Sequence, residues 1–136
     1  MDLLNAMEIA AQGMRAQGIR MRVISQNLAN SETTGSKPGE DPYQRQIVTF
    51  KNVLQRNSGV NFVQVDKVVK DKSEFKLKYD PQHPAANKDG YVSFPNVNPL
   101  IEMMDMREAQ RSYEANLGII DMTRGMLVRA IELLRS

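Results

Sequence analysis

The sequence predicts an α+β protein in which two long terminal helices pack as a coiled coil, with a small central β domain and an extended arm between them. All nine methionines lie in residues 1–30 or 99–136. In these end segments apolar residues recur in alternating steps of three and four, whereas the centre has prolines and alternating apolar and polar residues. We therefore divide the chain into an N-terminal helix over residues 1–30, a central β-rich domain with the arm over residues 31–98, and a C-terminal helix over residues 99–136.

The first helix is predicted from an apolar stripe in which only Gln17 is polar. The stripe alternates steps of four and three residues, which is the spacing of a coiled-coil seam. Its members are Leu3, Met7, Ala10, Met14, Gln17, Met21, Ile24 and Leu28. The loop from Ser31 to Asp41 contains Gly35, Pro38 and Gly39, and it is predicted to end the helix.

The last helix is predicted to start at Pro99. Asn98 can cap it, and proline is tolerated at the first helical position because its missing N–H is not needed there. The stripe of this helix follows the same spacing with polar interruptions at Gln110 and Arg124. Its members are Met103, Met106, Gln110, Tyr113, Leu117, Ile120, Arg124, Leu127, Ile131 and Leu134.

The second half of the last helix is apolar on more than one face. Outside the stripe it carries Ile119, Met122, Met126, Val128 and Leu133. One partner helix cannot cover such a surface, so the pattern favours self-association over a helical hairpin within one chain, which is the alternative. The predicted assembly interface consists of Leu3, Met7, Met14, Met21, Ile24, Leu28, Met106, Tyr113, Leu117, Ile119, Ile120, Met126, Leu127, Ile131 and Leu134.

Four glycines lie inside the predicted helices, at Gly13, Gly18, Gly118 and Gly125. Each costs about 1 kcal/mol relative to alanine in a helix. Two interpretations are open. The glycines allow neighbouring backbones to approach closely, or they are simply tolerated in weak helices.

The centre of the chain is predicted to form a small sheet followed by the arm. Residues 47–50 and 60–69 are rich in β-branched and aromatic side chains, and residues 74–79 alternate between apolar and charged. These are the patterns of strands. From residue 80 to residue 98 the prolines exclude regular helix, and Asp89-Gly90 indicates a turn.

The residues needed for catalysis or metal binding are scarce. Cysteine is absent and His83 is the one histidine, so neither a His/Cys metal site nor a thiol nucleophile is available. The 18 basic residues nearly cancel the 16 acidic ones, which gives little support to nucleic-acid binding. We expect no catalytic residue, cofactor, metal, nucleic-acid partner, cleavable signal peptide or direct membrane insertion.

Several segments resemble the flagellar rod and hook family of axial proteins. Two groups of residues look like the N-terminal and C-terminal signatures of that family, and a third is similar to a segment that distinguishes a proximal rod branch. The segments are Gly13–Gln17, Asn27–Asn30 with Thr34-Gly35, Glu108–Asn116, and Tyr79–Pro84 continued by Asp89–Asn98. The chain departs from the family at Ser36, where many relatives have an aromatic residue.

The resemblance implies a structural subunit of the proximal rod of the bacterial flagellar basal body, with no catalysis. It implies export by the flagellar type III apparatus and polymerisation in the periplasm, with the terminal helices around a central channel and the middle segment as an outer domain. Torque transmission would follow, with other rod proteins, further copies of the chain, and adaptor proteins of the membrane ring and rod base as partners. A cytoplasmic helical adaptor or export chaperone and a nucleic-acid-binding module are the alternatives.

Overall fold

The structure is a computed structural model that describes residues 2–136. In chain order, two long terminal helices flank four strands that pair into two small sheets, and this confirms the predicted α+β class. In chain order the elements are α1 (Leu3–Ala29), β1 (Gln46–Gln55), β2 (Val60–Lys70), β3 (Lys76–Tyr79), β4 (Tyr91–Phe94) and α2 (Pro99–Arg135).

Both helices begin at a capping side chain. The Oδ1 atom of Asn98 accepts a hydrogen bond from the N–H of Leu100 at 3.1 Å, and α2 starts at Pro99 as predicted. At the start of α1, Asp2 Oδ1 accepts from the N–H of Leu4 at 3.3 Å. Each cap supplies an acceptor to a backbone N–H that has no partner inside its helix.

The chain forms two compact units. The first contains residues through 21, 49–67 and 107–136, and the second contains residues 22–48 and 68–106. Each of α1, α2, β1 and β2 therefore contributes residues to both units.

In the first unit, α1 and α2 run antiparallel and in contact. Arg20 forms an ion pair with Glu108 at 3.3 Å. A Cβ atom placed on Gly13 would lie 2.8 Å from Nδ2 of Asn116, closer than a normal contact. The two helices therefore approach each other closely at Gly13, which confirms the first interpretation of the helix glycines at this position.

The first unit also contains the outer part of the β1–β2 hairpin. The hydroxyl of Thr49 accepts a hydrogen bond from the N–H of Lys67 at 3.2 Å, and Lys51 lies 3.6 Å from Asp66. Phe62 on β2 is buried. The hairpin thus adds a large apolar side chain to a core that is otherwise built from small residues of the helices, such as Ala16.

The second unit is organised around the β3–β4 pair. These strands are antiparallel, with Lys76 opposite Phe94 and Tyr79 opposite Tyr91. Strand β4 lies within the segment that the sequence predicts as an extended arm. The strand is not predicted there, because the four residues between Gly90 and Pro95 are too few to show a clear alternation. The buried apolar side chains of this unit include Val23, Ile24, Val92 and Val97.

Candidate assembly surface

The predicted stripe of α1 is used for packing within the chain. Every member of the stripe is buried or half-buried, and Ala10 and Ile24 are almost fully enclosed. Exposed positions such as Glu8, Arg15 and Arg22 lie between them. The stripe therefore lies along the inward face of α1, but the buried residues Ala16, Val23 and Asn27 of that face are outside the stripe.

Within one chain, the predicted stripe of α2 is covered only at alternate positions. Its half-buried members are Met106, Tyr113, Ile120 and Leu127, whereas the exposed ones include Met103, Gln110, Leu117 and Arg124. The enclosed positions between them are instead Ala109, Asn116 and Thr123. On a helix with 3.6 residues per turn, two adjacent positions can both lie at the border of one stripe. The spacing of apolar residues alone therefore does not decide which of the two faces inward. The small side chains lie inward because α1 comes close.

The close approach at Gly13 can be tested with a matched pair of valine substitutions. Gly13→Val is expected to lower the free energy of unfolding by about 1–3 kcal/mol, because the new side chain collides with Asn116. At Gly18 the described residues place no atom of another group within 4 Å of the position that a Cβ atom would take, so Gly18→Val should change stability by less than about 1 kcal/mol. Urea unfolding followed by circular dichroism measures both. Equal losses would contradict the assigned helix contact.

A large apolar surface remains exposed on the C-terminal half of α2, and we call it the distal α2 surface. It contains five residues of the predicted interface and three further apolar residues. They are Leu117, Ile119, Met122, Met126, Val128, Ile131, Leu133 and Leu134. Ile119 also borders a groove of about 180 Å³ that is lined by Ala6, Ile9, Ala10 and Asn116, so this residue is partly enclosed by its own chain.

A second exposed apolar group lies in the first turns of α2, and we call it the proximal α2 surface. It consists of Leu100, Ile101, Met103 and Met104. Of these only Met103 belongs to the stripe predicted from the sequence. The sequence feature that indicates this surface is a run of apolar residues at the start of the helix, which only Glu102 interrupts. Contiguous exposed apolar residues of this kind mark interaction surfaces.

A buried amide anchors the end of α1 in the second unit. Asn27 donates from Nδ2 to the carbonyl of Gln46 at 2.8 Å, and its Oδ1 accepts from the Gln46 N–H at 2.9 Å. The hydroxyl of Tyr43 donates to the same Oδ1 at 2.9 Å. The side chain thus pairs with the first residue of β1 as a neighbouring strand would. The sequence feature that indicates this anchor is the presence of a polar residue, Asn27, on the apolar face that includes Val23 and Ile24.

Replacing Asn27 with alanine is expected to leave the backbone groups of Gln46 without partners. Each buried polar group that loses its partner costs about 1–3 kcal/mol. Asn30→Ala is the control, since Asn30 bonds locally to the Gln26 carbonyl and to the hydroxyl of Thr33, and it should cost clearly less. Hydrogen exchange at the amide of Gln46 should accelerate only in Asn27→Ala, and unchanged exchange there would contradict the assignment.

An ion cluster holds the start of α2. Arg45 forms a hydrogen-bonded ion pair with the buried Glu102, lies 3.1 Å from Asp71, and approaches Asp105 at 3.9 Å. Burial lowers the pKa of Arg45, but the hydrogen bond and charge of Glu102 outweigh it, so that pKa is raised overall. Burial, followed by the charge of Glu102, raises the pKa of Tyr43. We assign this cluster a structural role, because the positive charge of Arg45 is already balanced by the carboxylates of Glu102 and Asp71.

Asp71 links this cluster to acid stability. Its pKa is lowered from 3.8, first by the hydrogen bond from the backbone of Ser73 and also by Arg45. A lowered pKa in the folded state stabilises the protein above pH 3.8, and that stabilisation is lost as the pH falls through the folded value.

The remaining candidates for chemistry have structural surroundings. His83 Nδ1 accepts a hydrogen bond from the Ala85 N–H at 3.0 Å, and its Nε2 lies 3.3 Å from the hydroxyl of Thr34. Across residues 2–136, no group of three or more His, Cys, Asp or Glu is arranged to hold a metal ion. In the same range, no helix has the length and apolar character required to cross a bilayer.

Comparison with known families matches both ends of the chain. Residues 7–37 match the family described as flagella basal body rod protein, which covers most of α1 and the first part of the loop after it. Residues 88–133 match the C-terminal family of the flagellar basal body rod FlgEFG proteins, which covers β4 and most of α2.

Similarity to individual proteins extends over the full length. The flagellar basal-body rod protein FlgC of Agrobacterium fabrum is 49% identical, with 100% of this chain and 99% of the relative covered. The FlgC protein of Bacillus subtilis is 42% identical, with coverages of 98% and 99%. That of Salmonella typhimurium is 33% identical over 98% of each chain.

The chain belongs to the FlgC family of flagellar basal-body rod proteins. It is therefore a structural subunit of the rod and not an enzyme, as the scarcity of chemical groups in the sequence predicted. Membership places it in the basal-body rod with other rod components and copies of itself. The alternative of a cytoplasmic adaptor or export chaperone finds no support in these comparisons.

Proposed function

We propose that this rod subunit assembles through the terminal helices, and that the exposed apolar surface of α2 is the part that neighbouring subunits cover. The observation that carries the proposal is the distribution of burial. The α1 stripe is enclosed within the chain, whereas α2 keeps exposed apolar side chains such as Met122 and Leu133. Burying that surface against neighbours would stabilise an assembly by roughly 25 cal/mol for each Å² removed from water.

The proposal assigns a separate role to each region of the chain. Residues 1–30 and 99–136 form the helical core of the assembly around the export channel, and residues 31–98 form its outer domain. Many distributed apolar contacts along long helices suit the transmission of torque, because no single contact must bear the load. The two exposed surfaces of α2 support this division, since exposed apolar residues cluster on that helix.

The proposal also assigns a location and a route. The subunit acts in the periplasmic part of the rod, is delivered by the flagellar type III export apparatus, and contacts adaptor proteins at the membrane ring and rod base. The support for these three points is the family resemblance. Blocking the export apparatus in the parent organism should keep the chain in the cytoplasm, and its appearance in the periplasm of such cells would contradict the route.

Gene deletion tests the proposed role. Cells that lack the chain should be non-motile in soft agar, and their basal bodies should end before the distal rod. Expression of the intact chain should restore both properties. Motile cells with complete rods after deletion would contradict the proposal.

A further inference from the structure

The histidine of this chain connects two loops that are far apart in the sequence. His83 lies in the connection between β3 and β4, and Thr34 lies in the loop that follows α1. Nε2 of His83 is 3.3 Å from the hydroxyl oxygen of Thr34, across 49 positions of sequence. Both residues belong to the second compact unit. The contact therefore joins two of the segments that resemble the rod family, Thr34-Gly35 and Tyr79–Pro84.

The hydrogen bonds of the imidazole identify its tautomer. The N–H of Ala85 donates to His83 Nδ1 at 3.0 Å, so Nδ1 carries a lone pair and no hydrogen. A neutral imidazole has one hydrogen on its two nitrogens, and here that hydrogen lies on Nε2. The Nε2–H group then donates to the hydroxyl oxygen of Thr34. In the neutral ring, both nitrogens thus have a partner of the matching kind.

The ring is half-buried, and its surroundings hold it without an ion pair. The ring centroid of Phe94 on β4 lies 6.4 Å from that of His83. Glu32 of the loop after α1 and Lys78 of β3 line one groove with Phe94, and the carbonyl of Asp80 accepts from the His83 N–H at 3.1 Å. No charged side chain among the described residues forms an ion pair with His83. A charge on the ring would therefore have no carboxylate bound to it.

The segment that His83 holds, residues 81–86, has few other hydrogen bonds. Within residues 2–136, the bond to Thr34 is the one hydrogen bond that links residues 81–86 to the chain outside the β3–β4 connection. The following residues are held differently, because Oδ1 of Asn87 accepts from the N–H groups of Asp89 and Tyr91 at 3.0 and 2.9 Å. A change at His83 therefore acts on residues 81–86 and leaves the turn at Asn87 in place.

We propose that His83 is a pH-sensitive switch, which holds residues 81–86 against the loop after α1 while its imidazole is neutral and releases them in acid. Protonation places a hydrogen on Nδ1. The N–H of Ala85 then meets a second donor in place of an acceptor, and that hydrogen bond is lost. Histidine is the side chain that ordinarily changes charge between about pH 5 and 8. This inference concerns the single subunit and does not depend on the proposed assembly.

Hydrogen exchange at the Ala85 amide tests the switch. The exchange rate is compared with that of an unstructured chain at about pH 8 and about pH 5, and the ratio gives the protection. Protection in the natural chain should fall about fivefold in acid, the equilibrium factor of an ordinary hydrogen bond. The Tyr91 amide is the internal reference, since its acceptor on Asn87 does not titrate, and its protection should stay constant.

His83→Asn is the matched variant, because asparagine supplies an acceptor that does not titrate. Its Oδ1 can accept from the N–H two positions along the chain, as that of Asn87 does from Asp89. The variant should protect the Ala85 amide equally at both pH values, whereas His83→Ala should leave that amide unprotected at both.

Nitrogen-15 NMR of the imidazole checks the starting state, and one histidine in the chain means that its signals need no assignment. The hydrogen should lie on Nε2 at about pH 8, and a hydrogen on Nδ1 there would overturn the inference. So would constant protection of the Ala85 amide in the natural chain, or an equal loss in His83→Asn. An equal loss at the Tyr91 amide would show that acid unfolds more than residues 81–86, and it would overturn the switch as well.

Discussion

Replacement of Arg45 with methionine is expected to lower the free energy of unfolding by about 3–5 kcal/mol. The side chain of Glu102 is only 1% exposed, and Arg45 is the cation that pairs with it. The other carboxylate oxygen of Glu102 is buried and makes no hydrogen bond to the described residues. Without Arg45 the buried carboxylate of Glu102 loses the cation that pairs with it, and a buried charge without its partner costs stability.

Lys51→Met is the matched control for Arg45→Met. Lys51 and Asp66 lie 3.6 Å apart, but their side chains are 50% and 38% exposed, and such pairs contribute about 0–1 kcal/mol. The double variant Arg45→Met with Glu102→Leu should recover much of the loss, because both charges leave together. Urea unfolding of the three variants measures the differences. An Arg45→Met protein as stable as Lys51→Met would show that the buried pair is not required.

The helices were largely predictable from the sequence because their signals are local. Alternating steps of three and four residues identify an amphipathic helix, and Asn98-Pro99 marks the start of α2. The face of α2 that points inward was less predictable. Its inward face carries Ala109, Asn116 and Thr123, and apolar spacing alone cannot show that small side chains are needed where α1 approaches at Gly13.

The polar anchors were harder to predict because their partners are distant in the sequence. Asn27 pairs with Gln46, and Glu102 pairs with Arg45, 57 residues away along the chain. Nothing in the spacing of charged residues indicates which cation will meet a buried carboxylate. The strand β4 was missed for a related reason, since its identity depends on pairing with β3 more than on its own four residues.

Aspartate on the distal α2 surface is expected to abolish motility without unfolding the subunit. Met122 and Met126 are 64% and 47% exposed, so Met122→Asp and Met126→Asp should leave the free protein as stable as the natural chain. Under the proposed assembly each would bury a charge against a neighbouring subunit, which is costly enough to block polymerisation. The cells should be non-motile, with basal bodies that stop before the distal rod.

Two control variants distinguish loss of assembly from loss of folding. Leu127→Asp places a charge at a half-buried position, so it should destabilise the free subunit as well as block the rod. Leu77→Asp places the same charge on an exposed apolar residue of β3, outside the helical core, and its cells should remain motile. Ile119→Asp is less informative than Met122→Asp, because Ile119 borders the groove beside α1. If Met122→Asp and Met126→Asp cells build complete rods and swim normally, the distal surface faces water in the assembly, and α1 and α2 serve only as a hairpin within one chain.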